Sequence, residues 1–233
     1  MLGTLQGAWL DRPLAASFLG FNLLPAQWLH PSRSAPWDVD PAKQGAADAL
    51  ASADPRALRR HASALLLQSL APEEAVVPGL SDPALPVFMA CEDSFERVRV
   101  GCGLLLLGPS IRRIITREDL QALRAELTRE ELDFARGAAS RLLPADASLA
   151  LAVSLGRVRE QAHGLGDSVL AVAAACASSP VACRARLRLP PGPQPPDIEL
   201  PLPLQDGASA LAYARGVLQE VDPEWLSLFP ACP

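Results

Sequence analysis

The stretch Arg97–Leu120, RVRVGCGLLLLGPSIRRIITREDL, decides which class of fold the chain can form. Its glycines, Gly101, Gly103 and Gly108, surround a run of four leucines. A dinucleotide-binding loop needs G-x-G-x-x-G directly after a strand, and a P-loop needs Lys followed by Ser or Thr. Neither pattern is present. Gly101 and Gly103 instead predict close helix packing, in which the missing side chain admits a neighbouring helix.

The helical pattern extends on both sides of this stretch. Apolar residues at helical intervals predict one helix over Val87–Leu107, which Gly108-Pro109 is expected to end. The capping-box patterns Thr116–Asp119 and Thr128–Glu131 predict two further helices with a break near Leu127. The acid pairs at these helix starts are explained by the macrodipole, which favours negative charge there.

Capping signals place two other helices. Asp54-Pro55 supplies an N-cap and a proline at the first helical position of a helix that reaches Pro72. Asp206 is expected to cap a final amphipathic helix that ends at Asp222-Pro223. The proline-rich segment Ala71–Pro86 predicts an irregular connection, and the most flexible loop of the chain.

The region between these helices predicts two more. One helix should open at Ala145-Asp146 and run to about Gln161, and His163–Gly166 should break it. Asp167 would then cap an apolar helix over Ser168–Cys183. This window is shorter than the roughly 20 residues that a membrane-spanning helix needs, so we expect a buried helix.

The pattern changes near the C-terminus. Arg184–Leu189 and Ile198–Leu204 alternate with period two, and the proline-rich sequence PPGPQPP (190–196) lies between them. We therefore expect a β-hairpin-like element over residues 184–204. The predicted fold class is mainly α: a compact multi-helix domain spanning residues 1–233, with an aromatic and proline-rich N-terminal segment (1–37) and this one small β element.

Composition excludes several function classes. The formal charge is −5, and 20 of the 21 basic residues are arginines scattered among acids, so no nucleic-acid-binding face is expected. The five cysteines are an odd number without C-x-x-C spacing, which favours reduced, buried thiols in the cytosol over disulfides or zinc. The N-terminus has no basic stretch before its apolar residues, so no signal peptide is expected.

The sequence offers no catalytic, cofactor or metal motif. His30, His61 and His163 have no second His or Cys three or four residues away, and no G-x-S-x-G sequence occurs. Arg112 and Arg113 follow the Gly-Pro turn and precede a capping box. Two interpretations stay open for them: contact with a partner protein, where arginine is enriched, or ion pairs with the acids of that capping box, at 118 and 119.

Several segments, taken in order, resemble the K subunit of type III secretion systems, the YscK/SctK family of sorting-platform proteins. The segments are FNLLPAQWLH (Phe21–His30), GLLLLGPSIRRII (Gly103–Ile115), CRARLRLPPG (Cys183–Gly192), LPLPLQDGASALAYARGVL (Leu200–Leu218) and LF (Leu228-Phe229). Their order and spacing cover most of the chain. The segments 38–52 and 71–86 have no clear counterpart.

The resemblance implies a non-enzymatic adaptor at the cytoplasmic face of the injectisome. Such a protein bridges the forkhead-associated-like cytoplasmic domain of the inner-membrane ring protein SctD to the pod protein SctQ, and through SctQ reaches the stator SctL and the ATPase. It binds no nucleic acid and does not insert into the membrane. Arg112 and Arg113 are the first candidate contact, and Trp28 with His30 the second. A small soluble enzyme with a site assembled from distant residues, and a helical chaperone of another assembly, remain the alternatives.

Overall fold

The computed structural model describes residues 12–33, 54–142, 151–191 and 200–230, and all regular structure in these ranges is helical. The mainly helical fold class is thereby confirmed. Contacts divide the chain into two units: unit 1 holds the described residues of Met1–Met89, Ser178–Pro191 and Leu228–Pro233, and unit 2 those of Ala90–Ala177 and Gly192–Ser227. The single domain stays a prediction, because grouped contacts do not show whether each unit folds alone.

The helices of the described residues are short, except for two that form the centre of unit 2. Numbered along the chain, they are α1 (Arg12–Leu23), α2 (Pro55–Gln68), α3 (Leu85–Phe88), α4 (Glu92–Arg113), α5 (Arg117–Glu126), α6 (Arg129–Gly137), α7 (Ala139–Leu142), α8 (Val158–Ala175), α9 (Ser179–Leu187), α10 (Leu202–Gln205), α11 (Gly207–Val221) and α12 (Pro223–Ser227). Helices α1, α2, α3 and α9 belong to unit 1 and the others to unit 2. Unit 1 also has 3-10 turns at Pro25–Trp28 and Pro72–Glu74.

The predicted caps are confirmed at four helix starts. The capping side chains are Asp54, Thr116, Thr128 and Asp206, which accept hydrogen bonds from the backbone N–H groups of Arg56, Asp119, Glu131 and Ser209 at 2.8, 3.2, 3.2 and 2.9 Å. The predicted break near Leu127 is also confirmed, because α5 ends at Glu126 and Leu127 is its C-cap. These features depend on three or four consecutive residues, so the sequence specifies them locally.

The predicted bounds of α4 are wrong at both ends. The helix begins at Glu92, with Cys91 as its N-cap, and it continues through Pro109 to Arg113. Proline has no N–H and loses one hydrogen bond within the helix. The helix persists because the residues on either side of this proline, Leu107 and Ile111, are fully buried in the core of unit 2.

The predicted helix break at His163–Gly166 is also wrong, since α8 runs through it. A Cβ on Gly166 would lie 1.9 Å from the carbonyl oxygen of Arg99, and a Cβ on Gly103 would lie 1.9 Å from that of Ala162. The two glycines therefore allow α4 and α8 to meet backbone to backbone. The packing interpretation of Gly101 and Gly103 is confirmed, and Gly166 of α8 has the same role.

Two other expectations for α8 are corrected. The helix begins at Val158, and residues 151–157 are not helical; the expected start at residues 145 and 146 lies outside the described residues. Asp167 is not an N-cap but lies inside α8, where its carboxylate accepts two hydrogen bonds from Arg99, at 2.6 and 2.7 Å. This ion pair is mostly shielded from solvent and lies beside the Gly166 contact.

The β-hairpin-like element is not formed in the described residues. Arg184 to Leu187 belong to α9, residues 202–205 form α10, and residues 192–199 lie outside the described ranges. The period-two pattern was misleading because Arg184 and Arg188 are also four residues apart, which is a helical interval. Both are buried on one face of α9, whereas Arg186 is exposed.

Arg184 is the central residue of unit 1. Its side chain is only 1% exposed, and its guanidinium donates hydrogen bonds to backbone carbonyls instead of a carboxylate. The acceptors are the carbonyl oxygens of Phe21, Asn22, Glu74, Ala75 and Pro180, at 2.7 to 3.3 Å. The irregular segment after α2 is thus tied to α1 and α9. Burial lowers the pKa of Arg184, because the charged form loses hydration.

We expect Gly103→Ala to lower the free energy of unfolding by about 3 kcal/mol, because overpacking against a backbone cannot be relieved by a rotamer change. Gly137→Ala is the matched control: a Cβ there meets no atom within 4 Å, so the change should be neutral or stabilise by up to about 1 kcal/mol. Urea unfolding followed by circular dichroism measures both. Equal stabilities of the two variants would contradict the close contact.

We expect Arg184→Ala to cost about 3–5 kcal/mol, since it leaves several buried carbonyls without a donor. Arg186→Ala, two residues along the same helix and exposed, should change stability by less than about 0.5 kcal/mol. The same urea titration compares them. A small effect of Arg184→Ala would show that water replaces the guanidinium.

Candidate interaction surfaces

Arg112 and Arg113 end α4 with both side chains exposed. The Nη1 of Arg112 donates to the carbonyl oxygen of Arg136 at 3.3 Å. In the described part of the chain, no carboxylate lies within ion-pair distance of either arginine. The expected alternative partner Asp119 instead accepts a hydrogen bond from the Thr116 hydroxyl at 2.6 Å. Both guanidiniums are therefore available for another protein.

An exposed isoleucine lies next to these arginines. Ile115 is 84% exposed in the turn between α4 and α5. Arg117, the first residue of α5, is also exposed. We call Arg112, Arg113, Ile115 and Arg117 the arginine turn. Burying one such aliphatic side chain against a partner contributes about 1.5–3 kcal/mol, and guanidiniums bind carboxylates through two hydrogen bonds. Sequence reasoning missed Ile115, because an apolar residue before a helix cap is usually buried.

Trp28 and His30 lie in unit 1 and are engaged in its packing. The Trp28 ring meets Phe21 edge to face, with centroids 6.3 Å apart, and the Arg188 guanidinium lies 4.6 Å from the ring centroid. The backbone N–H of His30 donates to the Leu187 carbonyl at 2.8 Å. The two predicted contacts thus fall in different units, and the second one holds α9 to the N-terminal segment.

Unit 2 contains a cavity of about 320 Å³ between α4, α6, the start of α8 and the end of α11. We call it the acidic cavity. Its apolar floor consists of Val100, Gly101, Leu104, Phe134 and Val221. Its polar lining consists of Glu96, Glu130, Glu131, Glu220, Arg97 and Arg159, with Thr128 beside them. Four carboxylates and two guanidiniums give this lining a formal charge of −2.

Ion pairs hold most of these carboxylates in place. Arg159 donates to both oxygens of Glu131 at 2.7 Å, so these two lining charges neutralise each other. Arg141, which lies outside the lining, donates to Glu220 at 3.0 Å. Glu130 is exposed, and no arginine of the described residues lies within ion-pair distance of it. The lining therefore keeps a negative potential towards solvent.

His163 is partly buried and contacts Glu96, one of the residues that line the acidic cavity. Its Nδ1 is 3.3 Å from a carboxylate oxygen of Glu96, which accepts from Arg99 through the other oxygen at 3.2 Å. Burial lowers the pKa of His163, and the Glu96 carboxylate acts in the opposite direction. No group of three or more His, Cys, Asp or Glu residues suited to a metal ion occurs in the described ranges.

Two further observations concern the thiols and the membrane. None of the four cysteines that the structure describes forms a disulfide. Cys102 is buried as expected, but the expected burial is wrong for Cys91 and Cys176, which are exposed, and Cys183 is half-buried. The fifth cysteine lies outside the described residues. Of the helices that the structure describes, none combines the length and apolar character needed to cross a bilayer.

The acidic cavity was missed by sequence reasoning. Glu130 and Glu131 were explained by the positive end of α6, and Glu131 does complete the capping box with Thr128. Their position beside Val100 and Leu104 arises from the packing of α6 on α4, which joins residues about 30 positions apart. Nothing in the sequence Thr-Arg-Glu-Glu indicates that these residues lie beside α4.

We expect Trp28→Ala to lower the free energy of unfolding by about 2–4 kcal/mol, because the ring packs against Phe21 and Arg188. Leu23→Ala, at an exposed position of α1, should change it by less than about 0.5 kcal/mol. Thermal unfolding of the two variants measures the difference. If Trp28→Ala leaves the stability unchanged, Trp28 would again be a candidate contact residue for a partner protein.

Comparisons of the chain with protein-family models, with curated proteins and with solved structures found no significant match. The geometry described above and the segments that resemble the YscK/SctK family are therefore the basis for a function.

Proposed function

We propose that the chain is a non-enzymatic adaptor of the cytoplasmic sorting platform of a type III secretion system. It would bridge the cytoplasmic domain of SctD to the SctQ pod, at the inner-membrane face of the secretion apparatus. The observation that carries the proposal is the ordered set of segments that resemble the YscK/SctK family. Each segment is short, and their order along most of the chain is what supports a common function.

The positions of these segments in the fold support the proposal. In unit 1, FNLLPAQWLH and CRARLRLPPG are in direct contact: Arg184 donates to the Phe21 carbonyl, and Arg188 lies over the Trp28 ring. In unit 2, GLLLLGPSIRRII lies in α4 and most of LPLPLQDGASALAYARGVL in α11, and these two helices pack together. The resembling segments are thus core elements of both units.

The arginine turn supports an interaction role. It combines two exposed arginines at the end of α4 with an exposed isoleucine in the turn and an exposed arginine at the start of α5. Arginine is enriched at interface hot spots, and an apolar side chain among charged ones is typical of an interface centre. A protein that joins two partners needs such a surface on a rigid body.

The enzyme alternative is favoured by one observation, the acidic cavity with its converging titratable groups. The adaptor remains the better proposal because Glu131 and Glu220 are held by arginines, an arrangement typical of structural ion pairs. A chaperone of another assembly would share the same surfaces. Co-purification from the native cell separates that function from the proposed one.

Pull-down of the folded protein with the SctD cytoplasmic domain and with SctQ tests the proposal. We expect both to bind, and circular dichroism controls for folding. Failure of the folded protein to bind either of them would overturn the proposed function.

We expect Arg112→Glu combined with Arg113→Glu to weaken binding to at least one of these partners by about tenfold or more, and to abolish secretion. The melting temperature should stay within about 3 °C, because neither side chain has an ion-pair partner among the described residues.

The matched control is the other adjacent arginine pair on a helix, changed as Arg59→Glu with Arg60→Glu. These two are also exposed, and the ion pair that Arg60 makes among the described residues, with Asp54 at 3.6 Å, is long and exposed. This variant should bind and secrete normally. A large loss of stability in the Arg112 and Arg113 variant would instead assign them to the fold.

A further inference from the structure

The acidic cavity has the form of a binding site for an apolar group. Its volume of about 320 Å³ lies at the lower end of the range of about 300–1,000 Å³ that ligand pockets occupy. The floor offers aliphatic and aromatic carbon from three helices, α4, α6 and α11. The space suits a few side chains of a bound segment.

The charges around this floor favour a basic occupant. Once Arg159 is matched with Glu131 and Arg141 with Glu220, the lining retains Glu96 and Glu130 against Arg97. The partial charges of the helix ends oppose each other there, because α6 begins and α11 ends at the cavity, so the remaining carboxylates set the sign of the potential. A Lys or Arg near the mouth would be attracted by this potential.

We propose that the acidic cavity binds a segment of a partner protein in which a bulky apolar side chain is flanked by Lys or Arg. The apolar side chain lies on Val100, Leu104 and Phe134, and the basic group faces Glu130. The inference rests on the proposed adaptor function only for the class of the occupant, a protein. The cavity is distinct from the arginine turn, so unit 2 offers two surfaces of opposite charge.

The test uses the full chain and capped peptides, and needs no secretion protein. The probe is N-acetyl-Arg-Leu-Leu-Arg amide, and the matched controls carry Glu in place of Arg or Ser in place of Leu. Amide chemical shifts of the ¹⁵N-labelled protein are followed by NMR up to about 10 mM peptide. We expect saturable shifts at Gly101, Leu104 and Phe134 with the Arg-Leu probe, with a dissociation constant on the order of 1 mM.

A pair of equivalent residues provides the variant and its control. Glu130 and Glu118 are both exposed and occupy the same position in two successive Thr-Arg-Glu caps, but only Glu130 lines the cavity. Glu130→Lys should weaken the probe about tenfold, and Glu118→Lys by less than about twofold. If Glu130→Lys does not fold, Glu130→Gln should still weaken binding by about threefold.

Several results would overturn the inference. They are the absence of saturable shifts, equal binding of the Glu-Leu control, equal effects of the two Lys variants, and shifts that depend on protein concentration without peptide, which would assign the cavity to a second copy. The proposed function fails on a different result, the loss of binding to SctD and SctQ. A failure of the cavity proposal can therefore be distinguished from a failure of the proposed function.

Discussion

The contact between α4 and α8 is the constraint on which the structure of unit 2 depends. Gly103 and Gly166 face the backbone of the opposite helix, at Ala162 and Arg99, with no room for a side chain on either glycine. Because the two backbones are this close, the residues around the crossing have fixed positions relative to one another. The Arg99–Asp167 ion pair forms beside this crossing. A buried ion pair is costly unless its geometry is good, and here two hydrogen bonds at 2.6 and 2.7 Å provide it.

Unit 1 is organised in a different way. It places a cation, Arg184, among backbone carbonyls of α1, α9 and the irregular segment after α2. Carbonyl oxygens carry only partial charges, so this arrangement stabilises less than a carboxylate would, but it satisfies several acceptors that no helix or sheet reaches. The planar fork of arginine donors suits this task, whereas a lysine ammonium would not span the same set of carbonyls.

Local features of this fold were predictable and tertiary ones were not. The caps at Thr116, Thr128 and Asp206 each depend on a side chain and a backbone N–H three residues away, so the sequence alone specified them. The turn signals at Pro109 and Gly166 were overridden because burial and close packing favour a continuous helix. Proline and glycine indicate a local conformational preference. Contacts between residues that are distant in sequence decide whether the chain adopts that conformation.

The two candidate surfaces differ in the same way, since one was predictable from local sequence and the other was not. Arg112 and Arg113 were identified because a Gly-Pro turn followed by a cap predicts exposure, and they are exposed although α4 continues through Pro109. The acidic cavity required α6 to lie on α4. Both surfaces share helix α4, where Leu104 and Arg112 are separated by about 12 Å of helix axis. Because α4 is fixed by its contact with α8, the spacing of the two surfaces is also fixed. If both surfaces bind proteins as proposed, their opposite charges repel each other's partners, and one helix selects two different proteins.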